Sequence, residues 1–279
     1  MFPPFEYPKH PTERNVMLNI IVCAKVVLDP EAPVSTFKID PRERRVLPGP
    51  GVPPVLNPYD ENSLEAALKI KEALPARITV ISAGKNIPKA VVRKCLAVGA
   101  DALVLLEDEA FDEIDSLSAA VLLAAAIRKL GQYDLVLTGR MAADTNAGQV
   151  GQGVAERLAI PAVTLARKIE VNNGTVRVER VRSDGYEVIE VALPCLVTVS
   201  HEIGELRAAT VKGLMAAQKQ PITTWHAADL APEAADLKLR RPQQLFIPDR
   251  KVACELVTGA TPEEAGAGLA LKVRQIGFI

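Results

Sequence analysis

One pattern constrains this 279-residue chain more than any other. Short apolar segments of strand length alternate with amphipathic segments of helix length from residue 18 to residue 138. Units of this kind join parallel strands by right-handed crossovers and place helices on both faces of the sheet. The pattern predicts an α/β fold with a doubly wound, mostly parallel, Rossmann-like sheet. The predicted strands are 18–27, 78–81, 102–106 and 135–138, and the predicted helices are 60–74, capped by Asp60, 87–98 and 117–130.

The pattern changes in the second half of the chain. An Asn-Asn-Gly turn at 172–174 lies between two apolar segments, 163–171 and 175–181, which predicts an antiparallel hairpin. Two further runs of strand length, 188–193 and 196–200, extend the expected antiparallel annex on the main sheet.

The organisation along the chain follows from proline content and charge. Prolines at 48, 50, 53 and 54 are expected to exclude regular structure between the first strand and the first helix. The last 59 residues carry too few apolar side chains for a core of their own, so they are expected to lie on another surface. We therefore expect an N-terminal extension over 1–16, with Met17 as an alternative start, a domain with annex and docking segment over 17–220, and a C-terminal arm over 221–279.

Composition argues against several classes of function. Lys and Arg total 33 against 34 Asp and Glu, and a net charge of -1 does not suit binding to nucleic acid. No apolar run approaches the roughly 20 residues that cross a bilayer, so a transmembrane protein is not expected. Four cysteines without a Cys-x-x-Cys pair favour a reducing, cytoplasmic location. Because His10, His201 and His226 are far apart in the sequence, a hydrolytic triad or a metal site has little support.

Ligands of doubly wound sheets bind at the carboxyl ends of the strands, where the strand order reverses. The candidate site therefore consists of the loops that begin near Cys23, Ala83, Glu107 and Gly139.

The most informative of these loops runs from Gly139 to Gly153 and enters a helix that ends near Leu158. Its glycines expose backbone amides at the positive end of a helix dipole, an arrangement that suits a phosphate. The glycine spacing matches neither a dinucleotide fingerprint nor a Walker loop. Two interpretations stay open: a nucleotide-phosphate loop, or an ordinary strand-to-helix turn capped by Asp144 or Thr145.

A second segment, Leu56 to Glu61, starts the first predicted helix on the same edge of the sheet. Asn57 and the backbone of 58–60 could hold an adenine or a ribose. An Asx-Pro turn that leads into a helix cap is the simpler interpretation, and the residues alone favour it.

These segments resemble the beta subunits of electron-transfer flavoproteins from about residue 18 to residue 279. The closest stretches are VCAKVVLD at 22–29, LNPYD at 56–60, VGAD at 98–101 and DLVLTGR at 134–140. The family signature resembles VER at 178–180, DGYE at 184–187 and LPCLVT at 193–198, with Ser183 where the family usually has an acid.

The resemblance implies a heterodimer with an alpha subunit that carries FAD and passes electrons between a dehydrogenase and a quinone reductase or other acceptor. The beta chain of that family holds AMP or, in electron-bifurcating members that oxidise NADH, a second FAD. By position, the implied nucleotide contacts are Cys23, Asn57, Pro58, Tyr59, Asp60, Ala83, Gly139, Arg140, Met141, Ala142, Ala143, Asp144, Thr145, Asn146, Ala147, Gly148, Gln149 and Val150.

Departures from the family pattern leave the choice of nucleotide open. AMP-type members commonly carry Asn and Thr at the positions of Gly148 and Val150, whereas the Gln-Val-Gly run at 149–151 resembles bifurcating members. Val211 stands where the family places a leucine that anchors the partner dehydrogenase, and the lysine-rich run that normally follows is reduced to Lys219, which argues against an acyl-CoA dehydrogenase. An adenine-nucleotide sensor or stress-type domain, homodimeric and without flavin, is the alternative, and a hydrolase on the same sheet is the weakest one.

Overall fold

A computed structural model describes residues 17–112, 114–172, 174–230, 243–247 and 253–278. The N-terminal extension expected at 1–16 lies outside the described residues, as do residues 231–242, 248–252 and 279 of the expected arm. The chain divides into two compact units, the first ending at Gln243 and the second beginning at Gln244. The expected boundary between residues 220 and 221 stays a prediction.

Thirteen strands and six α-helices occur in the described part of the chain. The strands are β1 Leu18–Cys23, β2 Val26–Leu28, β3 Lys38–Asp40, β4 Arg45–Leu47, β5 Pro54–Leu56, β6 Ala76–Gly84, β7 Ala102–Glu107, β8 Leu135–Gly139, β9 Ala162–Asn172, β10 Thr175–Arg182, β11 Gly185–Ala192, β12 Cys195–Val199 and β13 Thr223–Trp225. The helices are α1 Pro58–Ala73, α2 Lys89–Val98, α3 Ser116–Leu130, α4 Val150–Leu158, α5 Val211–Lys219 and α6 Pro262–Gln275.

The main sheet has nine strands within the described residues, in the order β11-β10-β9-β12-β8-β1-β6-β7-β13. Neighbouring strands are parallel except for β10, which runs antiparallel to β9 and to β11. After β1 the chain adds β6 and β7 on one side, then crosses to β8 on the other, so the strand order reverses at β1. The α/β doubly wound prediction is confirmed.

The central strands are buried on both sides because helices cover both faces of the sheet. Side chains such as Ile78 and Val80 belong to one apolar cluster, which α1 and α2 complete with Leu64 and Val92. Alternate side chains belong to a second cluster, which α3 and α4 complete; its members include Ile81, Ile127, Val136 and Val154.

The first strand is shorter than predicted, because 18–27 divides into β1 and β2. The Lys25 N–H donates to the Asp60 carboxylate at 2.7 Å instead of extending the sheet, and β2 then pairs antiparallel with β5. The expectation of no regular structure before the first helix is therefore wrong, since β3 and β4 also pair in that segment. Asp60 is not the helix cap: Asn57 occupies that position and Pro58 begins α1, where a missing N–H costs nothing.

The expected antiparallel annex is present as β9, β10 and β11, although Asn173 of its turn lies outside the described residues. The segment 196–200, which we assigned to the annex, belongs to the parallel sheet: β12 lies between β8 and β9, and all five of its residues are buried. Strand β13 was not predicted and pairs with β7 at the sheet edge. None of the described helices is both long enough and apolar enough to cross a membrane.

Close packing of α3 on α4 generates a stability prediction. A Cβ added to Gly153 would lie 2.8 Å from the Ala120 Cβ, too close for two carbon atoms. We expect Gly153→Ala to lower the free energy of unfolding by about 1–3 kcal/mol through overpacking, despite the better helix propensity of alanine. In urea melts, Ala120→Gly in the same chain should recover part of that loss. Losses that simply add in the double variant would contradict the contact.

Candidate functional site

A cavity of about 390 Å³ opens at the carboxyl ends of β1, β6 and β8, where the strand order reverses. Its volume is within the range of sites for small ligands. The cavity lining includes thirteen of the residues predicted from the sequence: Cys23, Asn57, Asp60, Ala83, Gly139, Arg140, Met141, Ala142, Thr145, Ala147, Gly148, Gln149 and Val150.

Five predicted contacts, Pro58, Tyr59, Ala143, Asp144 and Asn146, are not among the lining residues. Sequence reasoning missed the contribution of α3, although it had selected the loop after Glu107 that leads to this helix. The lining residues that were not predicted are Ala24, Lys25, Ile114, Asp115, Ser116, Ala119, Leu123, Thr138 and Gly151. Whether any of these residues binds a cofactor stays a prediction.

Val150 and Gly151 in the first turn of α4 line this cavity. The amide of Gly153 donates to the Gln149 carbonyl at 3.0 Å, so the amides of the three preceding residues have no acceptor within the helix. Gly148, with φ near +61°, gives the loop a turn that glycine adopts without strain. Neither Asp144 nor Thr145 caps α4, because Gln149 holds the cap position without a side-chain bond. This end of α4 can accept an anion.

At two glycines of the site, the absence of a side chain allows neighbouring elements to pack closely. A Cβ on Gly139 would lie 2.5 Å from Asp60 Oδ1, and one on Gly151 would lie 2.6 Å from Thr138 Oγ1. The end of β8 therefore packs directly on α1, and the start of α4 packs directly on β8.

Asn57 joins α1 to the loop that follows β8. Its side chain is 1% exposed, its Nδ2 donates to the Met141 carbonyl at 2.9 Å, and its Oδ1 accepts the Ala143 N–H at 3.1 Å. The side chain makes no capping bond to its own helix. Asn57 instead fixes the loop that lines the cavity.

Asp60 holds two strand ends with one carboxylate. Oδ2 accepts the Lys25 N–H at 2.7 Å beyond β1, and Oδ1 accepts the Gly139 N–H at 3.1 Å at the end of β8. Burial raises the pKa of Asp60 to about 7, although these backbone bonds and a hydrogen bond from Asn57 oppose the rise.

Lys25 and Arg140 are the cations among the lining residues, and Asp115, at the cap of α3, is a second acid beside Asp60. Lys25 Nζ lies 2.6 Å from Asp144 Oδ2, and the Arg140 guanidinium lies 5.0 Å from the centre of the Tyr59 ring. Burial, and next the charge of Asp60, raise the pKa of the Cys23 thiol far above its ordinary value, so the thiol is neutral and a poor nucleophile. Within the described residues, no three His, Cys, Asp or Glu side chains form a potential metal site.

Comparison with known proteins identifies the family. A family model described as electron transfer flavoprotein domain matches residues 51–230. The chain belongs to the beta-subunit family of electron transfer flavoproteins. It is 41% identical to the caffeyl-CoA reductase–Etf complex subunit CarD of Acetobacterium woodii, over 92% of this chain and 98% of the relative. It is also similar to the electron transfer flavoprotein subunit beta of Clostridium acetobutylicum, at 40% identity over 80% and 84% of the two chains, and to the protein FixA of Bradyrhizobium diazoefficiens, at 34% over 77% and 76%.

Membership of the electron transfer flavoprotein family supports a role in electron transfer and implies that flavin is involved in the complexes of this family. It also favours electron transfer over the sensor or stress-type alternative. The nucleotide in this chain and the electron partners belong to the proposal below.

The Asn57 contacts generate a prediction about the loop. We expect Asn57→Ala to lower the free energy of unfolding by about 1–3 kcal/mol, because two buried hydrogen bonds are lost, and to speed hydrogen exchange at Ala143. The matched control is Asn62→Ala, which removes a 2.7 Å bond to the Gly204 carbonyl further along α1. The control should lower stability without changing exchange in 141–143, and equal exchange in both variants would contradict the assignment.

Proposed function

We propose that the chain is the beta subunit of a heterodimeric electron-transfer flavoprotein and that its cavity binds the adenylate part of AMP or of a second FAD. The observation that carries this proposal is the first turn of α4, which has amides without a helical acceptor and lines a cavity at the point where the strand order reverses. Anions bind at such helix ends because the amides and the helix dipole act together.

The chemistry of the lining residues fits an adenylate. Arg140 lines the same cavity as Val150 and Gly151 of α4 and supplies a cation that can pair with a phosphate. Ile114, Ala119 and Leu123 supply apolar surface from the α3 side, which suits the faces of an adenine ring. Phosphate and base would thus be held by different walls of one cavity.

The part of this chain in electron transfer is positional under the proposal. A flavin supplies the redox chemistry where it is bound, and AMP supplies none. The sheet end, Asn57 and Asp60 hold the cavity walls in fixed positions, which orients the nucleotide and excludes water around it. In the proposed complex, an FAD in the alpha subunit carries electrons between dehydrogenases and a quinone reductase or other acceptor, with NADH-dependent bifurcation if the second nucleotide is FAD.

The side chains at 148 and 150 do not decide between AMP and FAD. Gly148 and Val150 offer no side-chain donor, so any phosphate bonds from these positions come from the backbone. The two forms of the proposal therefore differ in the released cofactors rather than in the residues that bind them.

Counting cofactors tests the proposal and locates the site. We expect the purified heterodimer to release, on acid treatment, one FAD together with either one AMP or a second FAD. Arg140→Gln should release less of that second nucleotide and retain the first FAD, because a charged contact to phosphate contributes about 1.5–3 kcal/mol. Arg157→Gln, the same charge change at the exposed end of α4, should retain both. A complex with one flavin and no other nucleotide would refute the proposal.

We further propose that α5 contacts the partner dehydrogenase near Val211. Val211, Leu214 and Met215 are 74%, 49% and 65% exposed on this short helix. Hydrogen bonds fix the chain on both sides of α5. Before the helix, the Arg207 guanidinium donates to the buried Glu65 carboxylate at 2.8 Å. After the helix, the Gln220 carbonyl accepts a hydrogen bond from the Arg93 guanidinium at 3.2 Å. An apolar surface fixed at both ends suits docking of another protein.

A single charge on this surface tests the docking proposal. We expect Val211→Asp to slow reduction of the complex at least tenfold, measured with a purified dehydrogenase that reduces the wild type, because the new charge is desolvated on docking. Cofactor content should not change. Val34→Asp, at a valine 70% exposed, is the matched control and should leave the rate unaltered. Equal rates for Val211→Asp and the wild type would exclude this surface.

A further inference from the structure

The Asp60 carboxyl is buried in the wall of the cavity without a cation in direct contact, among the residues that the structure describes. Its two oxygens accept hydrogen bonds from backbone N–H groups, and the whole residue is 7% exposed. The nearest cation, the Lys25 ammonium, is bonded at 2.6 Å to Asp144 instead. A buried carboxylate with no ion-pair partner ionises less readily than one in water.

Charged and titratable groups lie near Asp60 on several elements of the fold, and Asp115, at the cap of α3, lines the same cavity. Lys25 and the neutral Cys23 thiol face it from the end of β1, Arg140 follows the end of β8, and the cavity loop contributes Asp144. The remaining neighbours are on helices: Glu61 on α1 is paired with Lys94 at 2.6 Å, and burial raises the pKa of the Cys95 thiol on α2 to about 12, so that thiol is neutral. Among these groups, Asp60 is the one whose pKa is raised to about 7.

We propose that Asp60 is a proton-linked positioning residue of the nucleotide site, whose ionised carboxylate takes up a proton from solvent when a phosphate anion enters the cavity. This inference rests on the proposed function, because it requires an anionic nucleotide. The balance is simple: a proton moves from water to the Asp60 carboxylate, and the charge of the ligand does not change. A second negative charge in the same cavity disfavours the ionised carboxyl, and the neutral acid keeps one acceptor oxygen for each backbone N–H.

The sign of the pH dependence follows from linkage. Asp60 titrates near pH 7 in the free site, and an anion moves its pKa higher, so the complex holds more protons than the free protein. Affinity for an anion should therefore fall as the pH rises through 7, by about tenfold between pH 6 and pH 8. A neutral ligand brings no such charge, so its affinity should change little over this range.

The test measures protons directly, on the full chain in its heterodimer after removal of bound nucleotide. The probe is the methyl phosphodiester of AMP, whose phosphate keeps one negative charge throughout the range, and adenosine is the neutral control. Calorimetric titration at pH 7 in two buffers of different ionisation enthalpy should give an uptake of about half a proton for the diester and none for adenosine. Diester binding without proton uptake would overturn this inference and leave the proposed function standing, whereas a lack of any binding would overturn both.

Variants separate Asp60 from other groups. Asp60→Asn should bind the diester with no proton uptake, but its new amide nitrogen faces a backbone N–H and folding must be verified by a melting curve. Lys25→Gln gives a second readout, because removal of the nearest cation raises the Asp60 pKa and should move the pH at which uptake is maximal upward. Lys71→Gln, at a lysine paired with Asp101 near the far end of α1, should leave that pH unchanged. The same shift in both lysine variants would contradict the assignment to Asp60.

Discussion

The structure of the sheet edge that carries the cavity depends on one carboxylate, which accepts backbone hydrogen bonds at the ends of two neighbouring strands. Asp60 accepts the N–H of Lys25, where the chain leaves β1, and the N–H of Gly139, where β8 ends. These two amides cannot continue a ladder once their strands stop, and buried amides require an acceptor. Placing that acceptor on the first turn of α1 closes the sheet end against a helix and leaves the cavity beside it.

Helix α1 connects the two surfaces to which we assign roles. Its first turn holds the cavity through Asn57 and Asp60. Further along the helix, Asn62 and Lys69 donate to the carbonyls of Gly204 and Ile203, in the segment that leads to α5. Asn62 and Lys69 are separated by seven residues, about two helical turns, so they lie on one face of α1. One helix thus fixes both a wall of the cavity and the segment that leads to the proposed docking helix.

The candidate site was predictable in outline because parallel strands must end on one edge, and the loops after Cys23 and Gly139 therefore had to meet. The resemblance narrowed this edge to particular residues, most of which line the cavity. The sequence did not indicate that Lys25 would join them, because the predicted strand 18–27 ran through this residue. It did not indicate the start of α3 either, because the approach of that helix depends on how far it is shifted over the sheet. Nor could it assign Asn57 to the loop at 141–143, a contact across 84 positions in the chain.

The sequence by itself determined the alternation of strands and helices, the parallel direction of the first strands and the hairpin at 172–174, since each follows from local periodicity or turn chemistry. Only the tertiary structure decided that β1 stops at Cys23, that β12 lies inside the parallel sheet and that β13 completes its edge. These outcomes depend on partners distant in sequence: a carboxylate on a helix, or a neighbouring strand with unpaired backbone groups. Local pattern specifies which segments form strands, but the burial of each edge amide and carbonyl selects the neighbour with which a strand pairs.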